Sequence, residues 1–322
     1  MFRWRKYGLI FNPTDFKDRP EWINEYAQAP NAIVFEKFVR VFFCCRPKPD
    51  AKGQFVSYCA FVDLNRHDLS KIINIATKPV LELGALGTFD EFGTYPVSVI
   101  KESDEIIAYY GGWTRCESVP FNISLGCAKS KDNGESFAKT GVGPVLSHSL
   151  DEPFVVTSPK IRKYNNSWYL FYTSGQKWFI YNGRAEIVYK LRLATSSDRL
   201  TWKKVNKNII TDKLGPDEAQ ACPDVIYANG KYHMFYCYRQ AVDFRVNTNN
   251  TYRIGYAFSN DLINWTRDDS KAGIDISESG FDNEMVAYPT VIELDRKYYM
   301  FYLGNKVGKA GFGLAELEGD LK

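Results

Sequence analysis

One pattern recurs five times along this chain of 322 residues: an X-Pro step, a short apolar strand, a polar turn, and a second strand ending in two adjacent aromatics. The prolines are Pro30, Pro96, Pro159, Pro223 and Pro289, at intervals of 63 to 66 residues. The pairs Phe42-Phe43, Tyr109-Tyr110, Phe171-Tyr172, Phe235-Tyr236 and Phe301-Tyr302 keep the same step. Such a period marks units that cannot bury their apolar faces alone and must stack on one another. A third strand such as "YRIGYAFS" follows, and then a Ser-x-Asp turn closed by an aromatic: "SKDNGESF" (130–137), "SSDRLTW" (196–202) and "SNDLINW" (259–265). An Asp there can bond its own backbone and hold a hairpin, so these turns read as structural.

A fourth strand after each turn gives five units of about four strands, which predicts an all-β fold, a five-bladed β-propeller. The fifth unit runs out after its third strand, "GFGLAELEG", while "RKYGLIF" at 5–11 precedes the first unit. Pairing those two segments would complete the last blade and remove an exposed edge. The chain is therefore read as a single domain, 1–322, with blades starting near the five prolines. An aromatic content of 16% with only four Met suits strands.

Several function classes fall away. A net charge of +3 without a long basic run does not make a nucleic-acid surface. The N-terminus has no signal-peptide core and no segment is apolar enough to span a bilayer, so no membrane insertion and a cytoplasmic location are expected. Seven Cys without a C-x-x-C pair read as small buried thiols rather than a disulfide framework. His67, His148 and His233 form no zinc spacing, and there is no P-loop or dinucleotide fingerprint. No cofactor is expected; a divalent ion held by carboxylates is left open, with nothing in the sequence to support it.

The candidate chemistry lies where the inner strands begin. Five residues before each proline stand Glu25, Glu91, Phe154, Glu218 and Glu284, with Asp90, Asp217 and Asp282 close by. After the aromatic pairs come Arg46, Arg115, Lys177, Arg239 and Lys306, among Trp113, Trp178, Tyr238 and Asn305. In an antiparallel pair the end of the second strand lies beside the start of the first, so both sets are expected at one mouth. Carboxylates, cations and aromatic faces together suit a sugar bearing negative charge.

Glu218 and Glu284 are the expected acid and base or nucleophile, with Asp90 and Glu91 shifting their pKa values or binding hydroxyls. Arg46, Arg115, Arg239 and Lys177 are expected to hold the anionic group, and Trp113 and Tyr288 to stack on the ring. Asp217, Asp282 and Asn305 complete the expected substrate contacts. An acid beside a turn is ordinarily solvated or bonded to backbone, and the arginines equally fit links between blades.

The repeat and its Ser-x-Asp turns resemble the five-bladed propeller glycoside hydrolases and phosphorylases of families 32, 43 and 130. "TYRIGYAFSNDLINWTRDD", "GFDNEMVAYP" and "YYMFYLGNKVGKAGFG" resemble most the glycosidase-like propeller proteins of polysaccharide and lipopolysaccharide biosynthesis loci. The resemblance implies the propeller and a carbohydrate ligand. Family 43 enzymes carry acids directly before, or two residues before, the blade prolines. Here those positions hold Ala29, Tyr95, Ser158, Cys222 and Tyr288, and Gln28, Thr94, Thr157, Ala221 and Ala287, none of them acidic. The expectation is a carbohydrate-active enzyme, glycosidase-like or glycosyl-transferring, on a sugar, sugar phosphate or nucleotide sugar. The alternative is a non-catalytic carbohydrate-binding propeller serving glycan biosynthesis.

Overall fold

The computed structural model describes residues 1–17 and 19–322. Among the described residues twenty strands form five four-stranded antiparallel sheets. β1 (Trp4–Phe11) comes first and stands apart in sequence from the sheet it joins. Blade one is β2 (Glu25–Val34), β3 (Phe38–Arg46), β4 (Tyr58–Asn65) and β5 (Asp68–Ile75). Blade two is β6 (Gly93–Glu102), β7 (Glu105–Thr114), β8 (Asn122–Ser130) and β9 (Ala138–Lys139). Blade three is β10 (Val156–Tyr164), β11 (Ser167–Tyr181), β12 (Arg184–Ser196) and β13 (Lys203–Lys204). Blade four is β14 (Glu218–Ala228), β15 (Lys231–Gln240), β16 (Arg253–Ser259) and β17 (Thr266–Arg267). Blade five is β18 (Ala287–Leu294), β19 (Lys297–Leu303) and β20 (Phe312–Leu317), completed by β1.

The inner strands touch in sequence, β2 to β6 to β10 to β14 to β18 and back to β2, so the sheets close into the expected five-bladed propeller. Closure is made as the sequence predicts: β1 runs antiparallel to β20, with Trp4 opposite Leu317 and Phe11 opposite Phe312. β1 thereby covers the edge that β20 would otherwise expose.

The two aromatics of each pair point to opposite faces of the blade, as successive strand residues must. The first packs between blades. Phe137 sits against Phe42, Trp202 against Tyr109 and Trp265 against Phe171, each Ser-x-Asp turn reaching back to the preceding blade. Trp4 of β1 does the same to Phe235. The turns are held as expected, with Asp198 Oδ1 accepting from the amides of Leu200 and Thr201 and Asp261 Oδ1 from those of Ile263 and Asn264.

The second aromatic is a tyrosine in blades two to five, and its buried hydroxyl needs a partner. Tyr110 donates to Asp90, Tyr172 to Glu152, Tyr236 to Asp269 and Tyr302 to Asp282. A cation from the outer strand completes each clasp: Lys139, Lys204, Arg267 and Lys6 respectively. Blade one has Phe43 there and needs no such clasp. All seven cysteines are free thiols, five of them buried.

Candidate functional site

At every blade proline the inner strand carries a bulge: the β2, β6, β10, β14 and β18 ladders all slip register at that step. A bulge residue near the right-handed helical region is disfavoured when proline follows. The chain takes the left-handed region instead at Ala29 (φ 50), Ser158 (φ 48), Cys222 (φ 51) and Tyr288 (φ 51). In blade two the step is a cis bond, Tyr95–Pro96. All five prolines, with those four left-handed residues, line one axial cavity of about 30 Å³. The inner strands do converge on an axis, and its floor is narrow enough to hold little more than one water.

The charged residue at that floor escaped the sequence reading. Lys160, directly after Pro159, is buried and paired with Asp224 at 3.0 Å, while Arg162 approaches the same carboxylate oxygen at 2.6 Å. Burial, and then Arg162, push the Lys160 ammonium down to about 8. No repeat position signalled this pair.

The bulge residues that belt the axis, Ala29, Tyr95, Ser158, Cys222 and Tyr288, carry no carboxylate themselves. Tyr288 packs edge-on to Tyr252, centroids 5.9 Å apart. Burial, and then its neighbour Tyr95, raise the Tyr288 hydroxyl well above the ordinary tyrosine range. Tyr95 is raised in the same way, first by burial and then by Cys222. Cys222 Sγ lies 3.4 Å from Ser158 Oγ. These tyrosines and the thiol are neutral at physiological pH, so the belt offers hydroxyls rather than negative charge.

Arg239 and Arg46 supply the opposite sign. Arg239 is only 3% exposed, is stacked 3.6 Å from the Phe244 ring centroid and lies over Tyr252. Its Nη1 donates to the Gln240 carbonyl, but its buried Nε has no acceptor. Arg46 lies over Tyr26 at 4.6 Å, with a long contact to Gln28 and a buried Nε that is also unsatisfied. Among the described residues neither guanidinium is paired with a carboxylate. A buried charge without its counter-ion is expensive in a folded protein.

The expected ring of acids is not assembled, and the clasps explain why. Asp90 is sealed against Lys139 (2.6 Å), Tyr110 and Thr88. Asp282 is sealed against Lys6 (2.7 Å) and Tyr302. Glu218 is fully buried, accepting from Arg267 (2.6 Å), Gln220 and the amides of Lys213 and Leu214. Burial alone would raise its pKa, but the Arg267 and Gln220 hydrogen bonds outweigh it and hold the carboxylate below its ordinary value. A carboxyl held below its ordinary pKa is a poor proton donor, and its four hydrogen bonds turn Glu218 towards Arg267 and Gln220. Glu91 accepts from the Gly87 amide at 2.9 Å and closes its own turn.

Glu284 differs: it is exposed and lines a cavity of about 400 Å³ at the mouth, so Glu218 and Glu284 do not form a pair. Other expected contacts are also engaged elsewhere. Arg115 stacks on Phe92 and donates to the Phe55 carbonyl. Trp113 packs on Phe92. Lys177 and Asp217 form a half-exposed ion pair at 2.6 Å. Asn305 holds the amides of Glu284 and Met285. Among the described residues no His, Cys, Asp and Glu side chains gather in a metal-binding group, and no helix is long and apolar enough to cross a membrane.

No family model matches the chain. A solved structure described as a glycoside hydrolase superposes with a TM-score of 0.75 at 17% identity, over 97% of this chain and 91% of the other. That likeness is one of fold, the five-bladed propeller that the sequence repeat implies. The β-1,2-mannobiose phosphorylase of a Thermoanaerobacter species is 26% identical over 178 residues, 52% of this chain and 54% of its own. The uncharacterized protein Rv1502 of Mycobacterium tuberculosis is 32% identical over 317 residues, 98% of this chain and 99% of its own. The chain belongs to the family of that mycobacterial protein.

Proposed function

We propose that the protein is a carbohydrate-active enzyme that takes an anionic or activated sugar, a sugar phosphate or nucleotide sugar, at the mouth of its propeller and transfers or releases the glycosyl unit. The observation that carries this reading is two guanidinium groups, Arg239 buried and Arg46 half-buried, each with a buried Nε lacking an acceptor and neither ion-paired with a carboxylate among the described residues. A phosphate or carboxylate bound at these guanidinium groups would supply the missing acceptors. The tyrosine belt below offers hydroxyls to the same group. A relative named as a β-1,2-mannobiose phosphorylase supports a carbohydrate reading of the chain.

Glu284 is, of the four acids expected to take part in catalysis, the exposed one, and in this reading it exchanges a proton with a sugar hydroxyl. Phosphorolysis or transfer from an activated donor needs one such group beside the anion, whereas hydrolysis by two opposed carboxylates needs a pair. In this reading the protein works in the cytoplasm, where activated sugars are made. The test is thermal stabilisation by inorganic phosphate, hexose 1-phosphates and nucleotide sugars against neutral sugars. Stabilisation by the anionic set that is lost in Arg239→Met supports the reading; stabilisation by neutral sugars alone removes it.

A second reading, a carbohydrate-binding propeller without turnover, is favoured by the enclosure of Asp90 and Glu218. It predicts ligand binding with no product formed from any activated sugar.

A further inference from the structure

Three non-glycine residues in left-handed backbone geometry meet at one cavity. Tyr26 (φ 67), Lys306 (φ 57) and Val307 (φ 53) all line the space of about 400 Å³ between blades four, five and one. Such geometry is strained for a residue with a Cβ and is rarest for a β-branched side chain. The surrounding structure holds it in place: Gln28 Nε2 donates to the Val307 carbonyl at 2.6 Å, and Asn305 ties the same turn to Glu284 and Met285.

The cavity shares two walls with the anion site. The Tyr26 ring lies under Arg46 and the Phe244 ring under Arg239. Its charges balance. Arg245 is paired with Glu186 at 2.9 Å and Lys309 with Glu25 at 3.2 Å. Lys306 and Glu284 remain, one ammonium and one carboxylate, both exposed and neither ion-paired among the described residues. Asn247, Thr248 and Thr251 add neutral polar groups to the wall. A second anion would meet Glu284, and a cation would meet Lys306. A neutral polyhydroxylated ring would satisfy both, with aromatic and aliphatic faces left for its C–H surface, and the volume lies in the lower part of the ~300–1,000 Å³ range of small-molecule sites.

We propose that this cavity is the subsite for a second, neutral sugar ring, the acceptor or leaving sugar of the reaction, with Lys306 donating to its hydroxyls and Glu284 accepting from them. The inference rests on the reading that an anionic sugar binds at Arg46 and Arg239, and it can fail independently of that reading.

The experiment is saturation-transfer NMR on the full chain with the methyl glycosides of mannose, glucose and galactose, beside thermal stabilisation by hexose 1-phosphates and nucleotide sugars. The expected result is transfer to at least one methyl glycoside, reduced roughly fivefold or more in Lys306→Met and in Glu284→Gln and largely kept in Lys306→Arg. Stabilisation by the anionic ligands should persist in all three variants and be lost only in Arg239→Met. No transfer to any methyl glycoside, or transfer unchanged in both Lys306→Met and Glu284→Gln, overturns the proposal. So does stabilisation by inorganic phosphate that depends on Lys306 and not on Arg239, since the cavity would then be the anion site.

Discussion

The hydroxyl of Tyr110 donates to Oδ2 of Asp90 at 2.9 Å, and the two residues stand twenty positions apart in the chain. The same separation joins Tyr172 to Glu152 at 2.7 Å and Tyr302 to Asp282 at 2.9 Å. The acid that leads into an inner strand thus turns outward along its own blade, to a tyrosine of the second strand and a cation at the outer edge. These carboxylates tie the strands of one blade to each other and leave the axis to other groups.

Removing one member of such a clasp leaves a buried charge without its partner. Asp90→Ala and Asp282→Ala are each expected to lower unfolding free energy by about 3 kcal/mol, and Tyr110→Phe by about 1.5 kcal/mol. Glu218→Gln should destabilise as well, because Arg267 loses its charged acceptor. Urea denaturation of the purified variants measures all four; unchanged midpoints for the Asp variants would show the clasps to be idle.

How much of this was legible in the sequence follows from what repeats. The period of the prolines and aromatic pairs is imposed by backbone geometry that every blade shares, so the propeller, its closure by β1 and the structural Ser-x-Asp turns could all be read directly. Side-chain direction is different. Glu218 and Glu284 occupy the same repeat position, yet one is sealed by Arg267 and the other stands open at the mouth. That difference depends on β17, a strand of two residues lying 49 positions from Glu218, which no local pattern announces. Arg46 and Arg239 follow the aromatic pairs and so stand at a repeat position, whereas Tyr252, Lys160 and Asp224 belong to single blades and carry no repeat signal. Lys306 was visible as a cation, while its left-handed turn was not.

The closing strand carries a pH dependence. Glu316 on β20 accepts from Lys297, Tyr7 and Arg5, the last two on β1. Burial opposes ionisation, but these hydrogen bonds outweigh it and hold the carboxyl at about 2. A depressed folded-state pKa gives stability that is present above the ordinary glutamate value and is lost as pH falls through the folded one. The protein should therefore lose stability between about pH 4.5 and pH 2, and Glu316→Gln should flatten that part of the curve. Denaturation midpoints across this range decide it; identical slopes for the two proteins would refute the assignment.

Deleting residues 1–11 removes β1 and exposes the β20 edge. The truncated chain is expected to melt earlier and to associate through that edge, which light scattering during a thermal ramp detects. A monomeric protein of unchanged melting temperature would show that β1 is dispensable.

Arg239 has a different signature from the clasp residues. A buried guanidinium without a counter-ion burdens the empty fold, so Arg239→Met should leave stability unchanged or raise it by up to about 2 kcal/mol. The same substitution should remove stabilisation by anionic sugars. A variant that is strongly destabilised without ligand would instead mark Arg239 as a structural link between blades.

The most direct test of the account is isothermal titration of wild-type and Arg239→Met protein with a panel of hexose 1-phosphates and nucleotide sugars. Binding of at least one of them by the wild type, weakened roughly tenfold or more, about 1.4 kcal/mol, in the folded variant, is the predicted result. Equal affinity in the two proteins, or no heat from any anionic sugar, would contradict it.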